Sequence, residues 1–65
     1  MDARDFAIFV QKKLVEKSTD YDEILLSASY KNMEEGNRIA GIRTTLVSIA
    51  NSIGDLLKEF YERNN

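Results

Sequence analysis

Apolar side chains in the second half of the chain recur at Ile39, Ile42, Leu46, Ile49, Ile53, Leu56 and Phe60, alternately three and four residues apart. On an α-helix this heptad spacing gathers all seven into one stripe, whereas a strand would divide them between two faces. Asn32, followed by Glu34 and Glu35, reads as the start of that helix: a side-chain cap, then negative charge at the positive end of the helix dipole. The pattern predicts a helix over 33–63, about 46 Å long.

The first half repeats the spacing more weakly, through Ala7, Val10, Leu14, Lys17, Tyr21, Ile24 and Ala28. Asp20 with Glu23 has the form of a capping box, which would open a separate short helix after Ser18-Thr19-Asp20. The stripe nonetheless keeps its phase across 18–20, and neither Gly nor Pro falls there, so one helix over 3–29 is expected. The segment Ser27-Ala28-Ser29-Tyr30-Lys31-Asn32 is then the reversal, and its shortness makes the helices antiparallel neighbours. The expected fold is all-α, a single antiparallel two-helix hairpin domain over 1–65. Its seam is Val10, Leu14, Tyr21 and Ile24 against Ile39, Ile42, Leu46, Ile49, Ile53, Leu56 and Phe60.

Composition adds a reason to look for company. A chain of 65 residues without Cys is close to the smallest that one hydrophobic core can hold together, and no disulfide assists it. Further apolar residues lie off the stripes: Ile8, Phe9, Val15 and Leu26 in the first half, Val47, Leu57 and Tyr61 in the second. Scattered exposed hydrophobes are ordinary on any surface. Their density on so short a chain leads instead to an interface made by Phe9, Val15, Val47, Leu57 and Tyr61, with another copy or a larger protein completing the fold. Gly36 with Ala40, and Ala50 with Gly54, are pairs of small residues four apart. Gly41 and Gly54 are expected to be points of close backbone approach.

Charge and residue types remove most chemistry. Nine Lys and Arg face eleven Asp and Glu, divided five against six over 1–31 and four against five over 32–65, so neither half is a basic arm for nucleic acid. A DNA-reading helix-turn-helix would need a third helix and a basic recognition face. Without His or Cys there is no imidazole base, no thiol nucleophile and no conventional zinc or haem site. Carboxylate pairs such as Glu34-Glu35 or Asp20/Asp22/Glu23 diverge around a helix and are accounted for by capping. The glycines form no phosphate loop. No enzyme activity, cofactor, metal or small-molecule substrate is therefore expected. Met1-Asp2-Ala3-Arg4-Asp5 lacks the basic and long apolar regions of a secretion signal, and no apolar run is long enough to span a bilayer. Neither export by signal peptide nor membrane insertion is expected.

The stretch from Leu26-Ser27-Ala28-Ser29-Tyr30-Lys31-Asn32 through Met33-Glu34-Glu35-Gly36-Asn37-Arg38-Ile39-Ala40-Gly41-Ile42, with Asp55-Leu56-Leu57-Lys58 near the end, resembles a class of very small proteins encoded by tailed bacteriophages. Its plan is similar: an amphipathic helix, a Ser/Gly turn, a Lys-Asp/Asn pair, an acidic first turn, a basic-apolar-small run and a second apolar helix. The class often carries an aromatic where this chain has Gly36. The resemblance implies a phage origin and association with the head, portal or neck, placing the protein in the virion or the host cytoplasm. The expected role is a non-enzymatic structural or assembly component that packs apolar helix faces against itself or a larger virion protein. The alternative is a regulatory adaptor or inhibitor hairpin that binds a host or phage protein.

Overall fold

A computed structural model describes residues 2–64; Met1 and Asn65 lie outside the described residues. The chain is an all-α hairpin of two helices, α1 over Ala3–Leu26 and α2 over Met33–Asn64, measuring 50 × 19 × 13 Å. α1 runs through residues 18–20 without a break. The hydroxyls that could have opened the helix there are satisfied within it, Ser18 Oγ and Thr19 Oγ1 donating to the Val15 carbonyl at 2.7 and 3.1 Å.

Each end of the reversal has a local cause. Asn32 caps α2, its Oδ1 accepting from Glu35 N–H at 2.9 Å, and Asp2 does the same for α1 with Asp5 N–H at 2.8 Å. α1 stops at Leu26, three residues short of the expected 29, because Ala28 takes a left-handed conformation, φ 53°. Ser29 N–H then reaches the Ile24 carbonyl at 3.0 Å and Ala28 N–H the Leu25 carbonyl at 3.2 Å. These are the two hydrogen bonds of a Schellman stop, made with Ala where Gly is usual. The first turn of α2 extends beyond the end of α1, and there the Tyr30 ring lies against Gly36. A Cβ on Gly36 would come within 3.0 Å of that ring, so glycine makes room for the aromatic that closes this end.

Pairs across the hairpin fix the register. Asp22 meets Arg43, Gln11 meets Gly54 and Arg4 meets Tyr61, and in each pair the residue numbers sum to 65. The stripe of α2 turned toward α1 is Gly36, Ala40, Arg43, Val47, Ala50, Gly54 and Leu57, all buried or half-buried. From Ala40 onward each is the next residue along from a member of the expected seam. Ile39, Leu46 and Ile53 are half-buried at the edge of the contact, while Ile42, Ile49, Leu56 and Phe60 are exposed at 39, 45, 63 and 53%. On α1 the contact follows Ala7, Gln11, Leu14, Ser18, Tyr21 and Leu25, with Val10 and Ile24 half-buried beside it.

The physical reason for this rotation is backbone approach. Small side chains let the two helices close tightly, and that permits Gln11 Nε2 to donate to the Ala50 carbonyl at 3.0 Å across the hairpin. Among the described residues Ala50, at 2% exposed, is the one buried apolar side chain, and its polar counterpart is Ser18 at 4%. The hairpin thus closes on its small and polar residues and turns half of its large apolar stripe outward.

Candidate functional site

The outward stripe is the most distinctive surface of the molecule. Ile42, Ile49 and Leu56 are spaced by sevens and therefore run as a row nearly parallel to the α2 axis, drifting by roughly 20° per heptad. Phe60 continues the row toward the open end of the hairpin. There the same flank of α1 contributes Phe6, 58% exposed, and Val10. Together with Ala3, Arg4 and Leu57, the side chains of Phe6, Ala7, Val10, Ile53, Leu56 and Phe60 line a groove of about 370 Å³ whose walls are almost wholly apolar. A second hollow lies along α1, where Phe9, Val10 and Leu14 are accompanied by Lys13, Glu16, Lys17 and Asp20.

Charged groups stand along this flank: Arg4 at the open end of the groove, and Lys13, Glu16, Lys17 and Asp20 along the hollow. Lys13 stands over the Phe9 ring, Nζ 5.5 Å from the centroid, and pairs with Glu16 at 3.2 Å. Arg63 pairs with Glu59 at 2.9 Å on the last turn of α2. The cross-helix ion pair, Arg43 Nε to Asp22 Oδ1 at 2.5 Å, lies on the opposite flank. The Arg43 N–H there is not aimed at the oxygen, so the contact is an ion pair without hydrogen-bond geometry. Both side chains are about two-fifths exposed, and such a pair is worth about 0–1 kcal/mol. Arg4 sits over the Tyr61 ring at 5.7 Å, and Tyr61 meets Phe60 edge to face at 6.2 Å. The Arg4 pKa is raised, first by a hydrogen bond with Tyr61 and then by the charges of Tyr61, Asp2 and Asp5.

Of the interface set read from the sequence, Phe9, Val15 and Tyr61 are exposed. Val47 and Leu57 are half-buried within the stripe that faces α1, and Leu57 also lines the groove. Nor do the five form one surface, since Phe9 and Val15, six residues apart, project about 120° from each other around α1. The correction is an exchange of roles. Val47 helps close the hairpin, Leu57 does so while also lining the groove, and Ile42, Ile49, Leu56 and Phe60, expected inside the hairpin, make up the outer flank. Phe6 is absent from the expected interface, although its position four residues before Val10 places it on the same side of α1. Gly54 is a point of close approach, where a Cβ would fall 2.8 Å from Gln11 Nε2. Gly41 is not: it is exposed, and a Cβ added there would meet nothing within 4 Å.

Among the described residues no group of carboxylates is gathered closely enough to hold a metal ion, and no helix is long and apolar enough to cross a membrane. No family model matches the chain, and neither a curated protein nor a solved structure shows significant similarity to it. Function must therefore be read from the surface itself.

Proposed function

We propose that this chain is a non-enzymatic assembly component of a tailed phage, a short rod that buries one apolar flank against itself or against a larger protein of the head, portal or neck. The observation that carries the interaction half of this reading is the exposed row Ile42, Ile49, Leu56 and Phe60, joined by Phe6 into an apolar groove. Large apolar surface held outward in an ordered row is costly in water and becomes favourable when another surface covers it. The phage half rests on the likeness of residues 26–42 and 55–58 to the small phage-encoded class.

The test is protein mass spectrometry of gradient-purified virions and assembly intermediates from the source phage, with the wild-type chain and with Leu56→Lys. Leu56 is already 63% exposed, so a lysine there leaves the hairpin intact and puts a charge on the flank. The chain is expected in at least one of these particles in fixed ratio to a larger protein, and the variant is expected to be lost from it. Absence at every stage, together with undisturbed particle formation in its deletion, refutes the assembly role. Recovery instead as a stoichiometric complex with one soluble enzyme would move the reading to the adaptor class.

A further inference from the structure

We infer that the outer flank is covered by a second copy of this chain, docked with the two α2 helices antiparallel about a two-fold axis at Ile49. This rests on the interaction reading above and specifies its partner.

Surface area gives the first argument. A monomeric globular protein of 7.4 kDa exposes about 4,200 Å². This chain exposes 5108 Å², an excess on the order of 900 Å² that follows from its rod shape. A stable two-chain interface removes about 800 Å² from each partner. Laying one rod along another therefore brings each chain to the surface expected of a self-sufficient fold of its size.

Self-complementarity gives the second argument and the register. A two-fold interface requires that if residue i meets residue j, j meets i. Within the row Ile42, Ile49 and Leu56 are symmetric about Ile49, which would meet its own counterpart, while Ile42 and Leu56, one heptad to either side, would meet each other; Phe60 would fall opposite Arg38 of the other chain. Two heptads to either side stand Glu35 and Arg63, of opposite sign. Antiparallel docking sets Glu35 of one chain beside Arg63 of the other at both ends of the row, where Arg63 already holds Glu59 at 2.9 Å. Parallel docking would set glutamate on glutamate and arginine on arginine. The charges therefore select the antiparallel arrangement, and the apolar flanks of α1 carrying Phe6 and Val10 complete a four-helix layer beside it.

The experiment combines sedimentation of the full chain with thiol cross-linking, which the lack of native Cys makes clean. Sedimentation is expected to give twice the 7.4 kDa chain mass, with helicity falling on dilution as chains separate. A short thiol-to-thiol linker is expected to join Ile49→Cys chains to one another, and Ile42→Cys chains to Leu56→Cys chains. Ile42→Cys alone should stay unlinked, because its two thiols would lie roughly 21 Å apart along the axis. So should Thr44→Cys, which points away from the row. A fully helical chain of single mass at all concentrations overturns the inference, as does linking of Ile42→Cys to itself at the Ile49→Cys yield. The two readings fail separately: a monomer found in phage particles removes the second copy and keeps the assembly role, whereas a dimer absent from them does the reverse.

Discussion

Replacing the three glycines of α2 by alanine one at a time tests the hairpin register, because they occupy three different surroundings on one helix. Inside a helix, Gly is about 0.8–1 kcal/mol less favourable than Ala. At Gly41 a Cβ meets nothing within 4 Å, so Gly41→Ala is expected to realise the whole gain. For a domain of this size that corresponds to a rise of roughly 4–8 °C in Tm. At Gly54 the new Cβ falls 2.8 Å from Gln11 Nε2, the tip of a flexible side chain that now donates to the Ala50 carbonyl. Displacing it sacrifices a hydrogen bond worth about 0.5–1.5 kcal/mol, which cancels the propensity gain and leaves Tm within about 3 °C of wild type. At Gly36 the Cβ presses on the Tyr30 ring at 3.0 Å, and a net loss is expected as the ring is pushed from the end of the hairpin. Thermal unfolding followed by circular dichroism at one chain concentration ranks the three. Equal stabilisation at positions 41 and 54 would refute the register, since it would mean that Gln11 does not lie across Gly54.

Other changes probe the caps and the tight stripe. Ala28→Gly relieves the left-handed residue of the α1 stop and is expected to stabilise by about 0.5–1 kcal/mol, read as a higher Tm; a lower Tm would argue against the Schellman geometry. Asn32→Ala removes the α2 cap and is expected to cost about 1 kcal/mol in urea unfolding, with Asn32→Asp retaining most of the stability. Ala50→Leu forces a large side chain into the closest approach of the helices and is expected to cost about 1–3 kcal/mol or more, whereas Ser48→Leu on the exposed side should change unfolding by less than about 0.5 kcal/mol.

The helices, their antiparallel order and the continuity through 18–20 are legible in the sequence because each rests on a local signal: the three-four spacing, the Asn32 cap, and the absence of Gly or Pro between Val10 and Leu26. The end of α1 is not, because the left-handed stop uses Ala28, a residue type that ordinarily reads as helix-forming. The seam of α2 escapes the sequence for a different reason. Periodicity reports that a helix has an apolar stripe and gives its direction, but a partner chain and the other half of the same hairpin are equally good reasons for one. The discriminating feature is present in the sequence, Gly36, Ala40, Ala50 and Gly54 on one side of α2, yet small residues weigh little on a hydrophobicity scale. Gln11 and Ser18 likewise sit in the contact of α1 where an apolar residue would be expected, and only the Gln11 bond to the Ala50 carbonyl explains the choice of a long polar side chain there.

The division of labour between the two stripes of α2 bears on why such a short chain would fold this way. Had the hairpin closed on Ile42, Ile49 and Leu56, its large side chains would hold the helices apart and spend their apolar surface within one chain. Closing on Ala50 and Gly54 brings the backbones together, lets a side-chain amide bridge them, and keeps Ile42, Ile49, Leu56 and Phe60 available outside. The inner contact is narrow, since Ala50 is the one buried apolar side chain among the described residues, so covering the outer flank and holding the hairpin together are coupled. Anything that covers that flank stabilises the folded rod by mass action. Helicity and association should accordingly rise together with chain concentration, and a variant that weakens the flank, such as Ile49→Lys, should shift both curves by the same factor. Movement of one curve without the other would separate folding from docking and show that the inner stripe suffices alone.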